Sequence, residues 1–254
     1  LGKVFIDKIP VKSVDIHEYY DRQGIKLSPQ KIVGTKLNTP REEDIVKAIV
    51  NLSKNSLEHA FIASVIYLTG ARLCEVSRYQ YTGIEQERIN IELPSIKIKD
   101  ITPTEADGVK LIIFDLRVEK VFKGDKEMTL IKREEKLINK PRRYPEIPYD
   151  ENHPCFPLLR IIENYIETLG NKNEEYELIQ MGPSNIQKFF KKVFGCNPHL
   201  FRHWRAKILT NEYGFTPQDL KLFFGWANFQ MPMFYSQSEQ KIIRNKLLTY
   251  KTEY

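Results

Sequence analysis

Apolar positions Ile45, Ala48, Ile49 and Leu52 recur three and four residues apart, which predicts a helix with one buried face. Ahead of it, Thr39 can cap, Pro40 suits the first helical position, and Glu42 stands where a capping box places its carboxylate. The stretch 57–68 is apolar on nearly every side, around Phe61, Ile62, Val65 and Ile66, and predicts a core helix stopped by Gly70. A short helix with Leu73, Val76 and Tyr79 follows from Arg72. Helical spacing returns over 158–169, 185–194 and 199–213, with Gly170, Gly195 and Gly214 as the stops. Thr216-Pro217-Gln218-Asp219 opens a shorter helix with a second capping box, and 239–248 is amphipathic through Ile242, Ile243 and Leu247.

The middle of the chain has a different rhythm. Residues 81–107, with Pro94 and Pro103, are expected to be a loop-rich insertion holding one strand near 88–93. Residues 110–118 predict a strand, Lys123-Gly124-Asp125 a turn, 128–137 the return strand, and 144–147 a third short strand. The expected fold class is α+β, mostly helical, with a small three-stranded antiparallel sheet. Residues 1–38 show no sustained period and are expected to be an arm or interdomain linker, with one domain over 39–254. The chain does not begin with Met, so a fragment of a longer protein is expected.

With 254 residues, 41% of them hydrophobic, the chain can bury a full core without cross-links. Its three cysteines, Cys74, Cys155 and Cys196, are far apart and form no CxxC pair, so neither a disulfide framework nor a metal cluster is signalled. No apolar run approaches a membrane span. A soluble protein of a reducing compartment is therefore expected. The net charge of +6 makes an anionic partner plausible, and its distribution says more than its total. Between Lys188 and Lys207 stand six Lys or Arg and no acid, interleaved with Phe189, Phe190, Phe194, Phe201 and Trp204. A second run, Lys120 to Arg143, has nine basic and four acidic residues. Such runs are either solvated faces or tracks for a phosphate backbone. On the second reading, Lys188, Lys191, Lys192, Arg205, Lys207, Arg142 and Arg143 contact DNA.

The candidate chemistry centres on Tyr235, nine residues after Trp226. One tyrosine among thirteen is ordinarily a packing residue, and a free phenol near pKa 10 attacks at neutral pH only with a base or positive charge beside it. His199 and Arg202, three apart on a predicted helix, project from one face, where an Arg can pair with two phosphate oxygens while a His exchanges a proton. His203, next door, is expected to point elsewhere and to be structural. Arg72 ends an apolar helix, where an unpaired guanidinium is costly; either Glu75 or a phosphate can satisfy it. Trp226 either packs in the core or offers its indole N–H to an oxyanion. Two arginines, a histidine and a phenol are what metal-free attack on a phosphodiester would need.

The order and spacing of these residues resemble the tyrosine recombinase, or phage integrase, family. Thr69, Gly70, Arg72 and Glu75 match its Thr-Gly-X-Arg-X-X-Glu segment; His199 and Arg202 match its His-X-X-Arg motif; Gly225 and Trp226 match its Gly-His or Gly-Trp step; and Tyr235 stands at the nucleophile. The family lysine precedes a Val-Pro or Ile-Pro by about eight residues, and Ile147-Pro148 puts Lys140 there, with Lys136 and Lys123 as alternatives. The match runs from about residue 38 to the C-terminus. The interval from Arg72 to His199 is long for the family, and residues 1–38 are too few for its helical core-binding domain.

The resemblance implies a site-specific recombinase or integrase that joins DNA to Tyr235 through a 3′-phosphotyrosyl bond, using neither metal nor ATP. It assigns Arg72 and Arg202 to the phosphate, Lys140 to the leaving 5′-oxygen, His199 to proton transfer at Tyr235, and Trp226 to the phosphate or the packing behind it, with Glu75 in support. Implied partners are double-stranded DNA sites and a homotetramer on synapsed DNA. The implied setting is integration or excision of a mobile element, viral genomes included, in the cytoplasm, at a nucleoid or in a host cell. A type IB topoisomerase shares this set of groups. A helix-turn-helix regulator using the basic helices would bind DNA without covalent attachment.

Overall fold

The computed structural model describes residues 39–81, 91–118 and 141–236. The expected arm over 1–38, the turn at 123–125, the return strand over 128–137, Lys123, Lys136, Lys140 and the helix over 239–248 lie outside them.

Helix α2 (Leu57–Thr69) begins at Ser56, whose hydroxyl accepts a hydrogen bond from the His59 amide, and ends at Gly70 in the left-handed conformation. Every residue from Ala60 to Thr69 is buried. A helix without a polar face must run through the interior, and α1 (Glu42–Ser53), α4 (Phe156–Thr168) and α6 (Pro198–Asn211) all pack against it. α5 (Pro183–Phe194) joins α6 through Phe190 and Phe194, each with its ring centre 5.0 Å from that of Phe201. Each large apolar side chain fully buried in this way contributes about 1.5–3 kcal/mol.

The capping box expected at Thr39 and Glu42 does not form. Arg41 is the N-cap and makes no capping bond. Glu42 instead turns inward and becomes a buried hub: its Oε1 accepts from Tyr67 (3.0 Å), the Cys155 thiol (3.1 Å) and Arg205 Nη1 (2.6 Å), and its Oε2 accepts from Tyr213 (2.5 Å). Burial alone would push this carboxyl up. The Arg205 charge and the bonds from Tyr213, Cys155 and Tyr67 outweigh it, so the group sits below the usual carboxylate range. Arg205 is thereby tied into the core, contrary to its expected place on a DNA-facing surface.

The three-stranded antiparallel sheet is present, with partly different members. Its order is β3 (Ile101–Ala106), β4 (Val109–Phe114), β7 (Glu146–Pro148), in register at Thr102↔Ile113 and Ile112↔Ile147. The hairpin partner of β4 thus precedes it in sequence, within residues expected to be irregular. Its turn is Asp107-Gly108, both with positive φ (52° and 76°), as a tight two-residue hairpin loop requires. Pro103 is tolerated because β3 is an edge strand. β1 (Tyr79–Tyr81) pairs with β2 (Ile91–Leu93), and β5 (Leu116–Arg117) with β6 (Arg142–Arg143). The β5–β6 pair fixes Arg143 opposite Leu116.

α3 (Leu73–Val76) follows Gly70 with Arg72 as its N-cap. α7 (Pro217–Phe224) carries the expected capping box between Thr216 and Asp219. Tyr235 ends α8 (Gln230–Tyr235), a helix that the pattern does not predict. Its third residue is Pro232, where the missing N–H would have had no intrahelical partner. Beneath α8, Ala206, Leu209, Leu220, Phe224, Trp226 and Tyr235 form a second apolar cluster.

Candidate active site

The turn between α2 and α3 is the first wall of the site. Thr69 closes it locally: its hydroxyl donates to the Val65 carbonyl (2.6 Å) and accepts from the Ala71 amide (3.2 Å). Gly70, at φ +59°, reverses the chain and aims its own carbonyl at α6. Arg202 Nη1 donates to that carbonyl at 2.5 Å, and its Nη2 donates to the Phe224 carbonyl at 3.0 Å. A single guanidinium therefore bridges the ends of α2 and α7.

Glu75 sits at the centre. Its Oε1 accepts from Arg72 Nη1 (3.0 Å) and its Oε2 from the Arg72 backbone amide (3.1 Å) and Arg143 Nη2 (2.8 Å). Arg202 Nη1 lies 3.9 Å from Oε2. Burial raises the Glu75 pKa, but Arg143, Arg202 and Arg72 together bring it below the ordinary value. Three guanidinium groups around one carboxylate leave two positive charges in excess, held partly by the Thr69, Phe223, Gly70 and Phe224 carbonyls. Such an excess suits an incoming polyanion. Arg72, with 31% of its side chain exposed, faces solvent, whereas Arg202 is 2% exposed. Burial pushes the Arg202 pKa down to about 9, against Glu75, which raises it, and with Arg72 and Arg143, which lower it further.

An aromatic stack forms the second wall. Phe224 and Trp226 lie 4.6 Å apart at 19°, and Trp226 and Tyr235 lie 5.6 Å apart at 5°. The Arg202 guanidinium covers the first two rings, 4.8 Å from Phe224 and 5.3 Å from Trp226. Tyr235 is only 6% exposed, and burial raises its phenol to about 12 although the Arg202 charge draws it back. The phenol oxygen is hydrogen-bonded to His203 Nδ1. His203 is buried, and its ring meets that of exposed His199 edge-on, centres 4.6 Å apart.

Arg72, Glu75, Arg202, Trp226 and Tyr235 thus come together, and His199 joins them through His203. Lys140 lies outside the described residues; its neighbour Pro141 accepts a hydrogen bond from the Val118 amide at 2.8 Å. Two residues depart from the sequence reading. Arg143, expected to contact DNA, is buried and donates to Glu75, Thr69 and Phe223. His203, expected to be bystander structure, holds the Tyr235 hydroxyl; the helical spacing of four from His199 was the only local signal for it. Of the other basic residues expected to contact DNA, Lys188, Lys191 and Lys192 are exposed on α5 and Lys207 is half-buried on α6. Arg142 is engaged by Asp115 and, at 3.2 Å, Asp100. Among the described residues, no helix is long and apolar enough to cross a membrane.

No protein-family model matches the chain, and no curated protein matches it. Solved structures do. XerA recombinase is 14% identical, with a TM-score of 0.48 over 98% of this chain and 81% of that one. XerH site-specific recombinase bound to difH substrate in a pre-cleavage complex is 13% identical, with a TM-score of 0.50 over 84% of this chain and 51% of that one. XerH bound to palindromic difH substrate in a post-cleavage complex is 14% identical, with a TM-score of 0.50 over 89% and 54%. The chain therefore spans about half the length of the XerH chains. With its helices around α2, its edge sheet and its stack under α8, the chain has the fold of a tyrosine recombinase catalytic domain.

Proposed function

We propose that this chain is a site-specific DNA recombinase that cleaves and rejoins strands through Tyr235. One observation carries the reading: Arg72, Arg143 and Arg202 meet at the single buried carboxylate of Glu75, and the stack that covers Arg202 ends on the Tyr235 phenol. Tyr235 attacks a backbone phosphate, an O–P bond forms, and the 5′-oxygen leaves with the bonding electrons, giving a 3′-phosphotyrosyl link. Arg72 and Arg202 stabilise the charge that builds on the non-bridging oxygens, and Trp226 supports the phosphate or the Tyr235 ring. Lys140 protonates the departing 5′-oxygen, and His199 assists proton transfer at Tyr235. The phosphotyrosyl bond conserves the energy of the one broken, so rejoining to another 5′-hydroxyl requires neither ATP nor a metal.

Exposed Lys188, Lys191 and Lys192, with Lys207, supply sequence-independent attraction for the duplex. The XerH structures, one before and one after cleavage of a difH substrate, support DNA as the partner. A homotetramer on two synapsed sites, acting in integration or excision of a mobile element, completes the reading.

The test uses a pool of end-labelled duplexes of random sequence, each with one nick, incubated with the full chain in EDTA and then denatured. A protein–DNA species that survives denaturation, disappears on protease digestion and is missing for Tyr235→Phe is expected. A stable adduct from Tyr235→Phe, or none from the unaltered chain, would overturn the proposal.

A further inference from the structure

A phenol held near pKa 12 is almost wholly protonated at neutral pH, with about one molecule in 10⁵ ionised. Tyr235 must therefore lose its proton as it attacks, to a base already within reach. The hydrogen-bond partner of its oxygen is His203 Nδ1. For Nδ1 to accept from the phenol O–H, the neutral imidazole must carry its own proton on Nε2.

We propose that His203 is the general base for Tyr235. The inference rests on the nucleophilic role of Tyr235 proposed above and changes the assignment of the proton acceptor. As the Tyr235 oxygen bonds to phosphorus, its proton moves to Nδ1 and His203 becomes an imidazolium. On rejoining, the same proton returns to the phenol oxygen as the phosphotyrosyl bond breaks, so the proton count over the cycle is zero.

Several features of the site suit this role. His203 lies on α6 immediately after Arg202, and its ring centre is 5.7 Å from that of Tyr235 on α8. His199, four residues before it on the same helix, meets its edge and is open to solvent. The charged group acting on the phenol from α6 is Arg202, which favours phenolate. Behind it stand Arg72 at the start of α3, Glu75 within α3, and Arg143 on β6. The Arg202 charge makes proton loss from Tyr235 easier. The Tyr235 oxygen is buried, which excludes bulk water as a competing acceptor.

The experiment measures single-turnover adduct formation on the nicked duplex pool as a function of pH, for the unaltered chain, His203→Gln and His199→Gln. Gln keeps a polar group of similar reach and cannot take the proton. The expected result for His203→Gln is a fall of about 100-fold in adduct rate, with duplex affinity and thermal midpoint unchanged. The unaltered chain and His199→Gln should keep the loss of rate on the acid side that marks protonation of the base, and His203→Gln should lack it. Adduct formation by His203→Gln at the unaltered rate and pH profile would overturn the role, as would loss of the acid limb only in His199→Gln.

A second measurement needs no DNA. In protein labelled with ¹⁵N-histidine, His203 should be the Nε2–H tautomer at neutral pH, and its Nδ1 resonance should move in Tyr235→Phe. An Nδ1–H tautomer refutes the proposal whether or not the chain cleaves DNA. Absence of any adduct from the unaltered chain, with the tautomer as expected, refutes strand cleavage instead.

Discussion

Gly70→Ala would test how the end of α2 and the stack beside Tyr235 depend on each other. Two costs add. The first is conformational: at φ +59° a side chain meets the left-handed penalty of about 1–2 kcal/mol. The second is steric, because a Cβ at this position falls against the Phe224 ring, 2.9 Å from Cδ1 and 3.1 Å from Cζ, with Cε1 nearer still. The ring cannot yield freely, since Trp226 stacks on it at 4.6 Å and the Arg202 guanidinium stands 4.8 Å from its centre. Overpacking at such a position costs about 1–3 kcal/mol. The expected loss is the sum, about 2–5 kcal/mol. Gly170→Ala is the control, with φ +60° and nothing within 4 Å of the added carbon, so it bears the first cost alone. Urea unfolding followed by far-UV circular dichroism gives both values, provided the slopes agree. Only Gly70→Ala should also change indole emission, through Trp226. If the two variants fall within about 0.5 kcal/mol of each other, the steric account is wrong.

Two other perturbations address the charges. Glu75→Ala leaves Arg143 and Arg202 buried without their carboxylate and should cost about 3–5 kcal/mol in thermal or denaturant unfolding; a loss below about 1 kcal/mol, the size of an exposed pair, would contradict the convergence described. The Tyr235 phenol, compared between the unaltered chain and Tyr235→Phe by phenolate absorbance, should ionise near 12 rather than 10. Because the folded pKa is the higher, the folded state holds this proton more tightly. Its contribution to stability is therefore fully present below pH 10 and is lost as pH rises through about 12. A Tyr235 ionisation step near 10 would mean that the ring is open to water.

What the chain revealed in advance follows from the range of the forces involved. The helices α2, α4, α5, α6 and α7 were legible because period, caps and terminal glycines are local, and the capping box at Thr216 formed as expected. The edge strand β3 was not, since Pro103 and its polar neighbours look irregular until β4 pairs with them, although Asp107-Gly108 was a usable hairpin sign. Glu42 satisfied a local rule and obeyed a distant partner instead. Arg143 and Arg205 sat in basic runs, and only a carboxylate far away in sequence, Glu75 or Glu42, turned them inward. Arg72, Glu75, His199, Arg202, Trp226 and Tyr235 were picked out by type, order and spacing. The bond from its hydroxyl to His203 joins two helices, and no local pattern encodes it.

The hub at Glu42 bears on how the domain assembles. Its partners arrive at increasing distances along the chain: Tyr67 after 25 residues, Cys155 after 113, Arg205 after 163 and Tyr213 after 171. A ribosome releases the N-terminal part first, so α1 and α2 can meet while the cation that neutralises Glu42 is still unmade. Until Arg205 is in place, the carboxyl must stay hydrated or take up a proton, and the α1–α2 interface must stay loose around it. Contacts of such long sequence separation also slow folding. The order of synthesis thus makes α6, the helix that carries His199, Arg202 and His203, the element whose docking neutralises Glu42, so a chain truncated before it would keep a buried carboxyl without its cation.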